Sequence, residues 1–285
     1  MLKERIQSAV EIAAEQQDHV AELFTDLGLD LKKINPNILR KLRLLNEKTD
    51  TLKDEERSIH VARSMFKYYE DNIAEGKFSE EEKRTVLIGT FFTDIGKTGP
   101  KDATPDQERL VLGVYDVENI GDPTKISLAE LINKSFPDDA EERLSKAKEM
   151  GLDGNMTMRE FYNIHARWTL EIISGDGVPP EAVVAAATHH IIEGVNPGHI
   201  VGEDGRFTKY FGDNASFDRA EKLIILLDKY DAFRRRGGKN HAEAIQLFRA
   251  KVRSNPQFAG DKQFEELITN LDDMISGNAK IYEKE

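Results

Sequence analysis

A chain of 285 residues is long enough for one large domain or two, and for a sizeable buried core. Its 40 Lys and Arg against 52 Asp and Glu leave a net charge of -12, which excludes the broad positive field of a general binder of DNA or RNA duplexes. Cysteine is absent, so disulfides, thiolate-held iron–sulfur clusters and thiol nucleophiles are excluded, and His, Asp and Glu are the strong metal ligands that remain.

From the N-terminus, Lys3, Glu4, Arg5 and Glu11 interrupt the apolar positions between Met1 and Gln17, so no signal-peptide core is expected there. No apolar run is long enough to span a bilayer, and cytoplasmic residence without membrane contact is the expectation. Leu2, Ile6, Ala9, Ala13, Val20, Leu23 and Leu27 fall near a heptad pattern interrupted at Gln16. That spacing is open to two readings, a homodimer seam or a helix packed on its own domain; the heptads are few, which favours the second. Asn35-Pro36-Asn37 marks a break, and residues 1–50 read as an N-terminal helical segment.

Apolar spacing then predicts helices over about 54–72 and 80–96. Between Gly99 and Asn155, Gly, Pro and acidic residues punctuate two short helices. Ser127 and Glu130 make one capping-box pattern, Asp138 and Glu141 resemble another, and Gly151 sits where the second helix should stop. Residues 98–156 therefore read as an inserted helical flap. Thr157 and Glu160 start the next helix, which should run to about Ser174. Pro179-Pro180 opens another, with His189-His190 in its last turn. The stretch 195–217 reads as loop. Ser216 or Asp218 should cap a deeply buried helix over 220–233, and two amphipathic helices, about 242–252 and 261–275, close the chain. The fold class expected is all-α.

Several residues along these helices could carry chemistry. Glu56 and His60, four apart, share one helix face. Asp94 and Lys97, three apart, flank Gly96, which permits close approach of a neighbouring element. His165 lies in mid-helix and His189-His190 at a helix end, while Asp228 interrupts an apolar run where a bare carboxylate is costly to bury. Each alone fits a structural role better: a hydrogen-bonded histidine, an acid paired with an arginine, or a solvated helix face.

Their order is more specific. Glu56-Arg57-Ser58-Ile59-His60, Thr93-Asp94-Ile95-Gly96-Lys97, His165, His189-His190 and Asp228-Lys229-Tyr230-Asp231-Ala232 follow one another in a way that resembles the HD-GYP family of HD-superfamily metal-dependent phosphohydrolases. The resemblance covers about residues 54–250. It implies an HD-domain helical bundle over 51–285 around two metal ions, iron or manganese. Glu56, His60, Asp94, His165, His189, His190 and Asp228 would be ligands, Asp94 would bridge, and Lys97 would face the scissile phosphate. The activity implied is hydrolysis of a cyclic dinucleotide such as cyclic di-GMP, or of a related phosphoester, by a metal-bridged hydroxide. Arg236 and Lys239 stand near the family's phosphate-binding run, a place that a solvated basic helix end would fill as well.

Three features depart from the family pattern. Thr93 replaces a histidine, so one of the two ions should be held more loosely. Glu193-Gly194-Val195-Asn196-Pro197 replaces the Gly-Tyr-Pro loop, and the flap lengthens the stretch from Lys97 to His165. These departures keep a second reading open, a degenerate metal- or nucleotide-binding sensor or docking protein without turnover. Asp153-Gly154-Asn155 begins like a calcium loop, but Met158 and Ile164 occupy places that such a loop reserves for Gly and Glu.

Overall fold

The computed structural model describes residues 19–211 and 214–277; the heptad-like positions before residue 19 lie outside them. Residues 19–26 are helical. There follow α1 (Pro36–Lys48), α2 (Thr51–Asn72), α3 (Glu80–Phe92), a 3-10 turn (Ile95–Thr98), α4 (Pro105–Tyr115), α5 (Leu128–Ser135), α6 (Ala140–Glu149), α7 (Met158–Ile173), α8 (Pro180–Ala187), 3-10 turns at Ile191–Glu193 and Pro197–His199, strands β1 (Arg206–Phe211) and β2 (Asn214–Ser216), α9 (Arg219–Asp231), a π-helical turn (Ala232–Arg236), α10 (His241–Ser254) and α11 (Lys262–Gly277). The chain is thus mostly helical, as expected. Among the described residues no helix is long and apolar enough to cross a membrane.

The chain divides into two compact units that do not follow its linear order. One takes in the described residues up to Leu52 together with Asp94–Val178; the other is Lys53–Thr93 with the described residues from Pro179 onward. The segment 98–156 therefore shares a unit with α1 and α7.

In the first unit, α1, α4 and α7 all pack on the turn Ile95–Thr98. Lys41 of α1, 0% exposed, pairs at 2.7 Å with Glu108 of α4, 1% exposed, and donates to the Pro100 carbonyl at 3.0 Å. Arg40 binds the other oxygen of Glu108 at 2.6 Å. Burial alone would raise the Glu108 carboxyl, but the two cations hold it below its ordinary range. This cluster anchors the chain just beyond Lys97. The segment 98–156 holds three helices rather than two, because Thr104 and Gln107 form a further capping box and Pro105 occupies the first turn of α4. Ser127 and Glu130 cap α5 as expected. α6 starts after Asp139, one residue later than the Asp138–Glu141 pattern suggested. The stretches preceding α5 and α7 meet in an antiparallel bridge, with Leu128 N donating to Met156 O at 2.8 Å and Met158 N to Ile126 O at 2.9 Å.

In the second unit, α3 packs on α8 and α9, and α9 also meets α10 and α11. The small residues Ala182, Ala185, Ala186 and Ala187 of α8 are buried. Gly89 of α3 is needed at this crossing, since a Cβ there would come within 2.6 Å of Ile224 Cδ1 and 3.2 Å of the Ala185 Cβ. The run Leu223–Leu227 is fully buried, as its composition required. The stretch read as loop contains the β1–β2 hairpin. Its alternation turns Phe207 inward against Phe217, a period too short to stand out among so many helices.

Candidate metal centre

The Asp94 end of the site is built by a close approach. α3 stops at Phe92, earlier than its apolar spacing suggested, and Asp94 begins the 3-10 turn. Gly96 lies against α7 so tightly that a Cβ would sit 2.0 Å from the His165 carbonyl and 2.7 Å from Thr169 N, and its own N–H donates to Thr169 Oγ1 at 3.1 Å. That contact delivers Asp94 to His165, which is 3% exposed: Oδ1 lies 3.0 Å from His165 Nε2, while Oδ2 accepts from Lys97 Nζ at 2.5 Å. The spacing of Asp94, Gly96 and Lys97 thus does what the sequence suggested.

His189 and His190 follow α8 directly rather than lying in its last turn. Thr188 ends the helix, with its hydroxyl donating to Val184 O at 2.8 Å. His189 is fully buried and His190 half-buried, and their ring centroids lie 4.2 Å apart with the planes tilted by 55°.

The tautomers are set by what each Nδ1 meets. Nδ1 of His165 lies 2.5 Å from the Tyr162 carbonyl, and Nδ1 of His189 lies 2.6 Å from the Ala186 carbonyl. Nδ1 of His190 meets the carboxylate of Glu193. Oxygens of these kinds only accept, so each ring must donate through Nδ1, which leaves the lone pair on Nε2. Metal-binding histidines show this arrangement. It also changes the meaning of the contact between His165 and Asp94. With the proton on Nδ1, Nε2 can donate to Asp94 only from a doubly protonated ring. Two lone-pair donors 3.0 Å apart otherwise have the spacing of neighbouring ligands on one cation at about 2.0–2.2 Å from each. His189 and His190 form one cluster of imidazoles in the second unit, and His165 stands beside Asp94 in the first. The donor set of imidazoles and carboxylate suits iron, manganese or zinc.

The remaining expected ligands are placed differently. Glu56 is half-buried and His60 exposed on α2, and neither belongs to that cluster. Asp228 is half-buried on α9 and pairs with Lys229 at 2.9 Å. Thr93 is buried, and its hydroxyl donates to Thr90 O at 2.9 Å. Arg236 and Lys239 are exposed; beside them Arg235 pairs with Asp231 at 3.1 Å and with Asp54.

Two neighbours of the centre were not among the site residues expected from the sequence. Tyr115 of α4 donates to the carbonyls of Phe161 and Tyr162 at 3.2 and 3.3 Å, packs edge-on to His165, and has Lys97 Nζ 6.0 Å above its ring. Burial, with Asp94 adding to it, pushes its hydroxyl well above the ordinary range, so it remains a donor. Glu193 is surrounded by His190, Lys229 at 3.0 Å and Lys251 at 2.9 Å. Burial alone would raise its carboxyl, but the His190 hydrogen bond and Lys229 hold it far below the usual carboxylate range. Its position three after His190 was legible, but its partners come from two later helices.

No protein-family model, no curated protein and no solved structure matches this chain.

Proposed function

We propose that this chain is a divergent, metal-dependent phosphodiesterase of the HD-GYP type, folded as an HD-domain bundle and acting on a cyclic dinucleotide or a related phosphoester. The observation that supports the proposal is the shared state of three histidines, each meeting a carbonyl or carboxylate oxygen through Nδ1. His165, His189, His190 and Asp94 would hold the tighter ion. Glu56, His60 and Asp228, with Thr93 in place of an imidazole, would hold the looser one. A bound divalent ion supplies two things at such a centre, neutralisation of phosphodiester charge and an acidified water.

The chain's own residues do the rest. Asp94 would join the ligand set to Lys97, whose ammonium, 2.5 Å from Oδ2, would stabilise charge developing on phosphoryl oxygens. Tyr115 packs beside both and keeps its proton. The exposed cations Arg236 and Lys239 would meet the rest of an anionic substrate. A second reading, a metal- or nucleotide-binding sensor without turnover, is favoured by one observation: the Thr93 hydroxyl is turned onto Thr90 O. Purified protein supplied with manganese or ferrous iron should hydrolyse cyclic di-GMP or bis(p-nitrophenyl) phosphate, and Lys97→Met should abolish turnover while metal stays bound. Nucleotide binding without hydrolysis would establish the sensor instead.

A further inference from the structure

The segment after His190, where the resembled family carries its Gly-Tyr-Pro loop, folds back on the histidine. Glu193 N donates to His190 O at 2.9 Å, Gly194 N to Ile191 O at 2.9 Å and Val195 N to His190 O at 3.3 Å. The turn can close because Gly194 adopts φ +83, a conformation glycine takes without strain. Asn255, at the end of α10, donates to Ile192 O at 3.1 Å and ties the turn down from outside. As a result the Glu193 side chain points back at His190 Nδ1.

The carboxylate is fixed by more than this contact. Lys229 of α9 reaches Oε2 at 3.0 Å and Lys251 of α10 reaches Oε1 at 2.9 Å, so each oxygen has its own cation. Lys229 also binds Asp228 Oδ2 at 2.9 Å. It lies 2.9 Å from His190 Nδ1 as well, but a nitrogen that carries a proton cannot accept, so its hydrogens go to the two carboxylates. Two cations, one of them buried, hold this carboxylate as a fixed group of the interior.

We propose that Glu193 is a positioning residue for His190: clamped by Lys229 and Lys251, it fixes the Nδ1–H tautomer and raises the basicity of Nε2 toward a divalent cation. The turn then serves the centre from inside. This inference rests on the metal-centre reading above, and the test separates the two.

The experiment uses the full chain, with Glu193→Gln, which keeps an acceptor and loses the charge, and Glu193→Leu, which loses both. Imidazole nitrogen shifts of the metal-free protein report the tautomer, titration with manganese reports affinity, and thermal melts report folding. His190 should carry its proton on Nδ1 in the wild type and in Glu193→Gln, and shift toward the Nε2–H form in Glu193→Leu. Manganese affinity should fall about 10–100-fold in Glu193→Leu and by a smaller factor in Glu193→Gln. A purely structural ion-pair role for Glu193 would lower the melting temperature and leave tautomer and affinity in place, and that result overturns the proposal. Should Glu193→Leu not fold, an Nε2–H form of His190 in the wild type, or unaltered affinity in Glu193→Gln, overturns it equally. A wild type that binds no manganese overturns the metal-centre reading and this inference together.

Discussion

An imidazole in a protein interior can be satisfied in two ways, as a ring whose second nitrogen also meets a neutral group or as a ring that offers a lone pair to a cation. His165, His189 and His190 share the half of the pattern that matters for a ligand, since the shortest contact of each Nδ1 is to a carbonyl or carboxylate oxygen. Thr93 is the counter-example at the same scale. Its hydroxyl oxygen is a poor ligand, and its proton is committed to Thr90 O at 2.9 Å. Thr93→His is therefore expected to tighten the looser ion and to raise any hydrolytic rate. Manganese titration of the two proteins checks this; equal stoichiometry and equal rates would remove Thr93 from the site.

Elements bring these residues to their places, and the glycine between Asp94 and Lys97 decides one placement outright. Because a Cβ at Gly96 would lie 2.0 Å from the His165 carbonyl, Gly96→Ala must push the turn off α7 and separate Asp94 from His165. Loss of metal affinity together with a lowered melting temperature is expected, and a variant that binds metal as tightly as the wild type would show that the close approach is unnecessary. This approach was legible in the sequence, because a glycine between two charged residues at helical spacing has few other uses. So were the capping boxes at Ser127 and Thr157 and the buried run Leu223–Leu227, each of which depends on residues adjacent in the chain. The placement of Lys229 and Lys251 around Glu193, and of Tyr115 over His165, depends on which helices meet. Local spacing carries no record of that. The β1–β2 hairpin differs, since its alternation is too brief to stand out, and the start of α4 was open to local reading in Thr104, Pro105 and Gln107.

At the scale of the whole molecule, buried carboxyl groups give stability opposite dependences on pH. Glu108, and Glu193 with it, are held low, so their contributions are present above the ordinary value of 4.5 and are lost as pH falls through their depressed values. Glu221 is fully buried, and burial together with Asp218 pushes its carboxyl up to about 8. Its sign is reversed: stability is fully present below 4.5 and is lost as pH rises through about 8. Glu221→Gln keeps an acceptor for Asp218 N, which now donates to Glu221 Oε2 at 3.1 Å, and removes the titration. The variant should melt several degrees above the wild type at pH 9 and lose that advantage at pH 4. A difference in melting temperature that does not change with pH would show that Glu221 ionises without cost.

The proposed activity depends on one property of the molecule, that its histidines hold a transition metal. Elemental analysis of anaerobically purified wild-type protein, beside a His189→Gln variant, tests it most directly. Iron or manganese bound stoichiometrically in the wild type and reduced in the variant is the expected result. A wild type that carries no metal after equilibration with either ion, or a variant that carries as much as the wild type, would contradict it.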